Sequence, residues 1–437
     1  MTLAAAHIDT GDTAWLLAAT ALVLLMTPGL ALFYGGMVRT KSVLNMLMMS
    51  FVSIALVTVV WLACGYSLAF GDDVADGLIG GLHQAGMAGL GPSDVHGTVP
   101  TLLFATFQLT FAVITAALIS GAVADRAKFG AWLVFVPVWA LLVYVPVAHW
   151  VWGPGGWIGQ HLRALDFAGG LPVEITSGAS GLALCLVLGP RLGFKKDAMR
   201  PHNLPMVMLG AGLLWFGWFG FNAGSAMGAT GLAAAAFLNT LAAGCTGLLG
   251  WLFVEHKRDG HPTTLGAASG AVAGLVAITP SCGTVSLLGA LVVGLAAGVV
   301  CSYAVGWKFK LNYDDSLDVV GVHLVGGIVG TLLIGLFAEK AMTGGAEGLL
   351  YGGGLAPLGR QLLAVAAVAV YAFAMTYGLG KLLDKVLGLR ASEEQEHTGL
   401  DLTVHAETAY DHGVLGHGAP VGASPFVPTA QKVSTQA

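Results

Sequence analysis

Residues 314–331 read DDSLDVVGVHLVGGIVGT, and residues 166–182 read DFAGGLPVEITSGASGL. In both stretches an aspartate is followed eight residues later by a second titratable residue, Asp166 by Glu174 and Asp315 by His323. The residues around each pair are mostly apolar or glycine, as in a membrane-spanning helix. A charged side chain near the middle of a span costs about 2.5–3.5 kcal/mol or more, so it is retained where it serves a function. The sequence therefore predicts a membrane protein in which Glu174 and His323 are functional residues.

The composition of the chain agrees with a membrane location. Of 437 residues, 56% are hydrophobic and only 10% are charged, whereas about a quarter of the residues in a soluble domain are charged. Glycine occurs 64 times, and small residues let helices approach closely inside a bilayer. The five cysteines show no metal-binding or redox spacing, and there is no nucleophile–base motif or P-loop. We expect a protein that is not an enzyme, with no cofactor, metal ion or nucleic-acid partner.

Eleven apolar segments are long enough to cross a bilayer, which takes about 20 residues. They fall at about 13–37, 43–70, 99–123, 129–149, 168–189, 204–223, 229–254, 264–280, 284–306, 318–337 and 359–386. The predicted fold is an all-α polytopic membrane protein with eleven transmembrane helices. Residues 1–12 are a short periplasmic tail, residues 13–386 the membrane domain, and residues 387–437 a cytoplasmic tail, disordered beyond about 414.

The basic residues predict the orientation of these spans. Of the 19 lysines and arginines, 16 fall on the side of the C-terminal tail, and only Arg163, Lys340 and Arg360 fall on the other side. Cytoplasmic loops carry the excess of basic residues in membrane proteins. We therefore expect the N-terminus outside and the C-terminus in the cytoplasm.

A weak internal repeat relates the first five spans to the next five. Span 1 contains FYGG (33–36) and span 6 contains FNAG (221–224), while spans 5 and 10 carry the two titratable stretches. An offset of five spans gives the halves opposite topology, and inverted repeats place a substrate site near the midplane. Matches of four residues, such as FYGG and FNAG, also arise by chance in a glycine-rich chain. The interpretation is a five-plus-five repeat around a central pore, with span 11 at the periphery.

Longer motifs carry a resemblance to a known family. These motifs are TPGLALFYGGMVRTKSVLNM (27–46), FQLTFAVITAALISGAVADR (107–126), HWVWGPGGW (149–157), DFAGG (166–170), LLWFGWFGFNAGSA (213–226), DDSLDVVGVHLVGGIVGT (314–331) and TGLDLTVHAETAY (398–410). Over residues 13–412 the chain resembles the ammonium transporters of the Amt/Mep/Rh family, and its Amt/Mep branch in particular. The resemblance implies a homotrimer in the cytoplasmic (inner) membrane, with one pore per subunit and ammonium or methylammonium as substrate.

The resemblance also implies a cation site. A vestibule of Phe111, Trp152 and Ser225 would bind ammonium, because aromatic faces attract cations and a hydroxyl accepts an N–H bond. Asp166 would support this site from behind, and Trp218 would line the same path. Phe111 and Phe221 would stack as a gate. The alternatives are that Phe111 and Trp152 are packing or interfacial aromatics, and that Asp166 caps a helix.

Below the gate the family usually has two facing histidines. His323 matches the second histidine, and Glu174 replaces the first. A carboxyl and an imidazole in contact titrate as a unit, and they could relay a proton or form a structural ion pair. Asp315 and Asp318 would order the inner end of the path, although helix capping explains them equally well.

The expected function is transport of ammonium, with deprotonation of the ion and passage of ammonia through a hydrophobic pore. Two alternatives remain, an ammonium sensor that signals through the tail and an electroneutral ammonia channel of the Rh type. The tail motif 398–410 resembles the family's regulated tail, which contacts PII-type signalling proteins. Ala406 stands where glycine is common, which weakens the expectation of a PII partner.

Overall fold

The computed structural model describes residues 7–410, which form a bundle of helices. Eleven apolar helices follow one another within this range, and ten of them are long and apolar enough to cross a membrane. They are α1 (Thr10–Met37), α2 (Thr40–Phe70), α3 (Thr101–Val123), α4 (Phe129–Leu162), α5 (Gly170–Leu188), α6 (Leu204–Gly224), α7 (Gly231–Asp259), α8 (Thr264–Ile278), α9 (Leu287–Leu311), α10 (Val320–Phe337) and α11 (Ala356–Leu387).

Helix α8 is the exception, because its 15 residues span roughly 22 Å at 1.5 Å per residue, less than a hydrocarbon core of about 30 Å. The prediction of a polytopic helical protein is confirmed. The count of eleven spans and their orientation stay predictions. The segment that was predicted to be disordered, beyond about 414, lies outside the described residues.

Helices α1 and α6, which the predicted repeat relates to each other, pack closely through small residues. A Cβ atom on Gly210 of α6 would lie 2.2 Å from the backbone nitrogen of Phe33 in α1. No side chain fits at that distance, so glycine is required at this crossing. Close contact of this kind supplies the van der Waals attraction that holds helices together in lipid.

A short hairpin lies between α2 and α3. Its strands β1 (Val95–His96) and β2 (Val99–Pro100) pair antiparallel. The Asp9 amide, just before α1, donates to the Thr98 carbonyl oxygen at 2.8 Å. The hairpin is therefore held at the N-terminal end of α1.

The first part of the tail docks at the opposite end of α1. It forms α12 (Glu393–Thr398) and α13 (Leu400–His405). The Asp401 carboxylate accepts hydrogen bonds from the backbone amides of Leu44 (3.0 Å) and Asn45 (2.8 Å) near the start of α2. We call this end of the bundle the tail end.

Buried ion pairs tie the loops together at the tail end. The Arg191 guanidinium donates two hydrogen bonds to the Asp314 carboxylate, at 2.9 and 2.8 Å, in a bidentate ion pair. Asp125 accepts from Arg39 Nε at 2.9 Å. These pairs connect the loops after α1, α3, α5 and α9. Since unpairing a buried charge is costly, they hold the four loops in one arrangement.

Candidate functional site

A wide cavity opens at the end of the bundle away from the tail. Its volume is about 360 Å³. It is lined by Phe70, His96, Phe104, Gln108, Phe111, Trp152, Pro154, Gln160, Phe167, Ser225 and Met227. The structure thus brings together three residues predicted for a vestibule, Phe111, Trp152 and Ser225, from helices α3, α4 and the end of α6.

Two stacked phenylalanine rings close the floor of this wide cavity. The ring centroids of Phe111 and Phe221 are 4.1 Å apart with an interplanar angle of 19°, and both residues are 1% exposed. The Trp152 ring stands edge-on to Phe111, with a centroid distance of 6.0 Å and an angle of 86°. A hydrated ion cannot pass between rings in van der Waals contact, so passage requires them to move.

Ser225 offers the wide cavity a hydroxyl oxygen. Its Oγ donates a hydrogen bond of 2.8 Å to the Phe221 carbonyl oxygen, one turn earlier. This bond uses the hydroxyl hydrogen and leaves the oxygen lone pairs free to accept an N–H group.

Asp166 lies behind the wide cavity and fixes the start of α5. Its carboxylate accepts the backbone amides of Gly169 (2.7 Å), Gly170 (2.9 Å) and Leu171 (2.6 Å). Its backbone carbonyl accepts the indole N–H of Trp152 at 3.1 Å. Asp166 therefore caps a helix and orients a ring of the wide cavity, while its predicted effect on a cation remains untested.

A narrow cavity continues on the other side of the ring pair. Its volume is about 10 Å³, which is close to the space that one water molecule needs. It is lined by Met26, Leu30, Phe33, Ile114, Leu118, Val173, Glu174, Leu214, Trp218, Phe221, Val272 and His323. Trp218, predicted to belong to the vestibule, lines this narrow cavity, because it lies one helical turn before Phe221 on α6. Its indole N–H donates to Thr279 Oγ1 at 2.8 Å.

Glu174 and His323 meet in the narrow cavity. Glu174 Oε2 and His323 Nδ1 are 2.7 Å apart, and their side chains are 1% and 6% exposed. Both residues lie in π-helical turns, Gly170–Ile175 and Val320–Leu324. Such turns are rare in proteins as a whole, but they occur often at functional sites. Among residues 7–410, Glu174, His323 and the Trp218 indole are the polar side chains that line the narrow cavity.

Asp315 and Asp318 lie at the tail end, outside both cavities. Asp315 accepts the backbone amides of Val319 (3.1 Å) and Val320 (2.7 Å) at the start of α10. Lys308 Nζ donates to Asp318 Oδ1 at 2.5 Å. The helix-capping alternative therefore describes Asp315 well, and Asp318 is one half of an ion pair.

His96 and Gln108 are among the residues of the wide cavity that were not predicted from the sequence. His96 stacks on Phe104 with ring centroids 3.7 Å apart, and Gln108 lies one turn before Phe111. A glutamine in an otherwise apolar span was a signal for Gln108. Nothing in the sequence pointed to His96, because the hairpin that carries it is irregular and short.

The fold and site define a polytopic membrane protein in which a wide cavity and a narrow cavity are separated by a stacked pair of phenylalanine rings. Residues 14–410 match the Ammonium Transporter Family. An ammonium transporter of Mycobacterium tuberculosis is 56% identical over 435 residues, covering 93% of this chain and 91% of that protein. An ammonium transporter of Bacillus subtilis is 52% identical over 406 residues, covering 92% and 98%. The chain belongs to the ammonium transporter family.

Solved structures agree with this assignment. Candida albicans Mep2 superposes with a TM-score of 0.83 at 36% identity, covering 89% of this chain and 88% of that one. A protein described as a sensor Amt protein superposes with a TM-score of 0.83 at 28% identity, covering 90% and 97%. The fold is therefore shared both with Mep2 and with a protein that is described as a sensor.

Proposed function

We propose that the protein carries ammonium across the cytoplasmic membrane by capturing the cation, removing its proton and passing ammonia through the pore. One observation supports the proposal: the stacked rings of Phe111 and Phe221 separate a cavity lined by aromatic side chains from a small apolar cavity in which Glu174 and His323 are in contact. The names of its relatives support ammonium as the substrate.

Capture takes place in the wide cavity. The faces of Phe111 and Trp152 attract the ion by cation–π interaction, which is worth about 2 kcal/mol when the ion is desolvated. The Ser225 oxygen accepts one N–H group, since its own hydrogen is used by Phe221. Asp166 adds negative charge behind the site without contacting the ion.

Deprotonation follows from the size and polarity of the narrow cavity. A space of about 10 Å³ excludes a hydration shell, and a bare cation in apolar surroundings is strongly disfavoured. Ammonia is neutral and about the size of water, so it loses much less solvation free energy than the cation when it enters the narrow cavity. The ion therefore leaves its proton near the gate.

The Glu174–His323 pair relays that proton. The 2.7 Å separation is a hydrogen-bond distance at which a proton can move between carboxyl and imidazole. Net charge then crosses with each ammonia, and the alternative of a purely structural ion pair predicts no such movement. Replacement of the family's first histidine by Glu174 makes this step the one most specific to the present chain.

The rest of the proposal follows the family resemblance. The protein is a homotrimer with one pore per subunit, eleven spans, the N-terminus outside and the wide cavity facing the periplasm. The tail end then faces the cytoplasm. There the docked helices α12 and α13 are available to a PII-type protein.

Uptake of labelled methylammonium by cells that lack other ammonium carriers tests the proposal. Saturable uptake that ammonium inhibits is expected. Binding without uptake would favour a sensor, the description of one structural relative. Proteoliposomes on a solid-supported membrane should give a current after an ammonium jump, and a silent trace with intact uptake would favour an electroneutral channel.

A further inference from the structure

Gln108 has an unpaired polar group beside the proposed cation site. The residue lies in α3, is 5% exposed and lines the wide cavity. Its Oε1 atom is buried and has no hydrogen-bond partner within residues 7–410. Buried polar groups are almost always hydrogen-bonded, so an unpaired one calls for an explanation. A ligand that supplies the missing donor is one such explanation.

The Gln108 amide is free to turn. No hydrogen bond within the described part of the chain holds either end of the group. A half-turn about the last side-chain bond exchanges the oxygen and the NH₂ group, and it breaks no hydrogen bond here. The carbonyl oxygen can therefore face the cavity when a donor arrives.

The position of Gln108 fits a role in cation binding. Residues three apart lie on the same face of a helix, so Gln108 and Phe111 share the face of α3 that borders the cavity. The captured ion has four N–H groups, and the aromatic faces of Phe111 and Trp152 offer no lone pairs to accept them. Ser225 supplies one accepting oxygen, so a second acceptor is needed nearby.

We infer that Gln108 is a further residue of the cation site and that its carbonyl oxygen accepts an N–H group of the bound ammonium. The inference rests on the proposed transport function. An amide does not titrate, so the contribution of Gln108 is the same at acid and neutral pH. A residue that only packs between helices would leave the affinity for ammonium unchanged.

The test measures initial rates of ¹⁵N-ammonium uptake against concentration in cells lacking other carriers. Gln108→Leu keeps the size and removes the acceptor, and Gln108→Glu keeps an acceptor. Gln160→Leu is the matched control, because Gln160 also lines the cavity but is exposed, and its amide N–H donates to the Gly153 carbonyl oxygen. Membrane levels of each variant are measured by immunoblot.

We expect Gln108→Leu to raise KM about tenfold at both pH 5.5 and pH 7.5, because a tenfold change corresponds to the loss of about one hydrogen bond to a charged donor. The kcat of this variant should stay within about twofold of the unmodified value. Gln108→Glu should keep a KM at or below that of the unmodified protein, and Gln160→Leu should change KM less than about twofold. Should Gln108→Leu fail to reach the membrane, Gln108→Met replaces it with the same expectation.

Three results would overturn the inference. They are an unchanged KM in the apolar variant, a KM in Gln108→Glu as high as in Gln108→Leu, and a fall in kcat without a change in KM. If the unmodified protein shows no saturable uptake, the proposed function fails and the inference fails with it. Saturable uptake with an unchanged KM in Gln108→Leu removes only the inference.

Discussion

The starts of α5 and α10 are built alike and lie at opposite ends of the bundle. Asp166 caps α5 by accepting three backbone amides, and Asp315 caps α10 by accepting two. Each helix then makes a π-helical turn that carries Glu174 or His323. The two segments meet where the Glu174 and His323 side chains touch.

The two ends differ in charge. Within the described residues no basic side chain pairs with Asp166, whereas Lys308 donates to Asp318 and to the Asp315 carbonyl oxygen. Beside the wide cavity the capping carboxylate thus has no basic partner, whereas at the tail end a lysine lies next to the cap and pairs with Asp318. This asymmetry suits capture of a cation from one side only.

Replacing Asp166 should have the largest effect. Asp166→Ala removes the charge and the cap of α5, and we expect at least a hundredfold loss of uptake at low ammonium, about 2.7 kcal/mol. Asp166→Asn keeps an accepting oxygen and should retain part of the activity. Equal uptake by Asp166→Asn and the unmodified protein would show that the charge does not matter.

The charge of Asp166 also predicts a pH dependence. Burial raises the pKa of Asp166 to about 6, above its ordinary value. The carboxyl is therefore ionised at pH 7 and becomes protonated as the pH falls through 6, so uptake by the unmodified protein should fall there. Asp166→Asn should lack this component of the pH profile.

Lys308 tests the other end of the comparison. Lys308→Met leaves the Asp318 carboxylate without its cation and the Asp315 carbonyl oxygen without the lysine donor, and we expect about 2 kcal/mol loss of stability for a largely buried pair. The measurement is the thermal midpoint in detergent. The double variant Lys308→Met/Asp318→Asn should recover part of the loss, and an unchanged midpoint in the single variant would contradict the prediction.

Glu174→His restores the pair usual in the family where the two segments meet. We expect the variant to transport within a few-fold of the unmodified rate, with a shifted pH profile, because two imidazoles replace a carboxyl–imidazole pair. Uptake of methylammonium between pH 5 and 8 is the measurement. Coincident profiles would remove Glu174 from the proton path.

His96 should show the smallest effect. Burial against its neighbours lowers the pKa of His96, so the imidazole is neutral at pH 7 and charged only in acid. An imidazolium at the cavity would repel ammonium, so His96→Gln should lower KM up to threefold at pH 5.5 and leave it unchanged at pH 7.5. If the ratio of the variant's KM to that of the unmodified protein is the same at both pH values, the charge of His96 is not the cause of the change.

The sequence by itself determined the helical membrane fold, and it singled out Glu174 and His323, which the structure places 2.7 Å apart. Apolar length and charge deficit are local properties, and a titratable residue inside an apolar span is visible without coordinates. It also left two roles open for each capping aspartate, support of a cation site or helix capping for Asp166, and ordering of the inner path or helix capping for Asp315.

Only the tertiary structure decided which residues share a cavity. Trp218 lines the narrow cavity and not the wide one, and His96 reaches the wide cavity from a short hairpin. The unpaired state of Gln108 and the pairing of Lys308 with Asp318 also depend on packing between distant segments. Spacing along a helix gives the direction of a side chain, but the neighbour that it meets is set by how the helices cross.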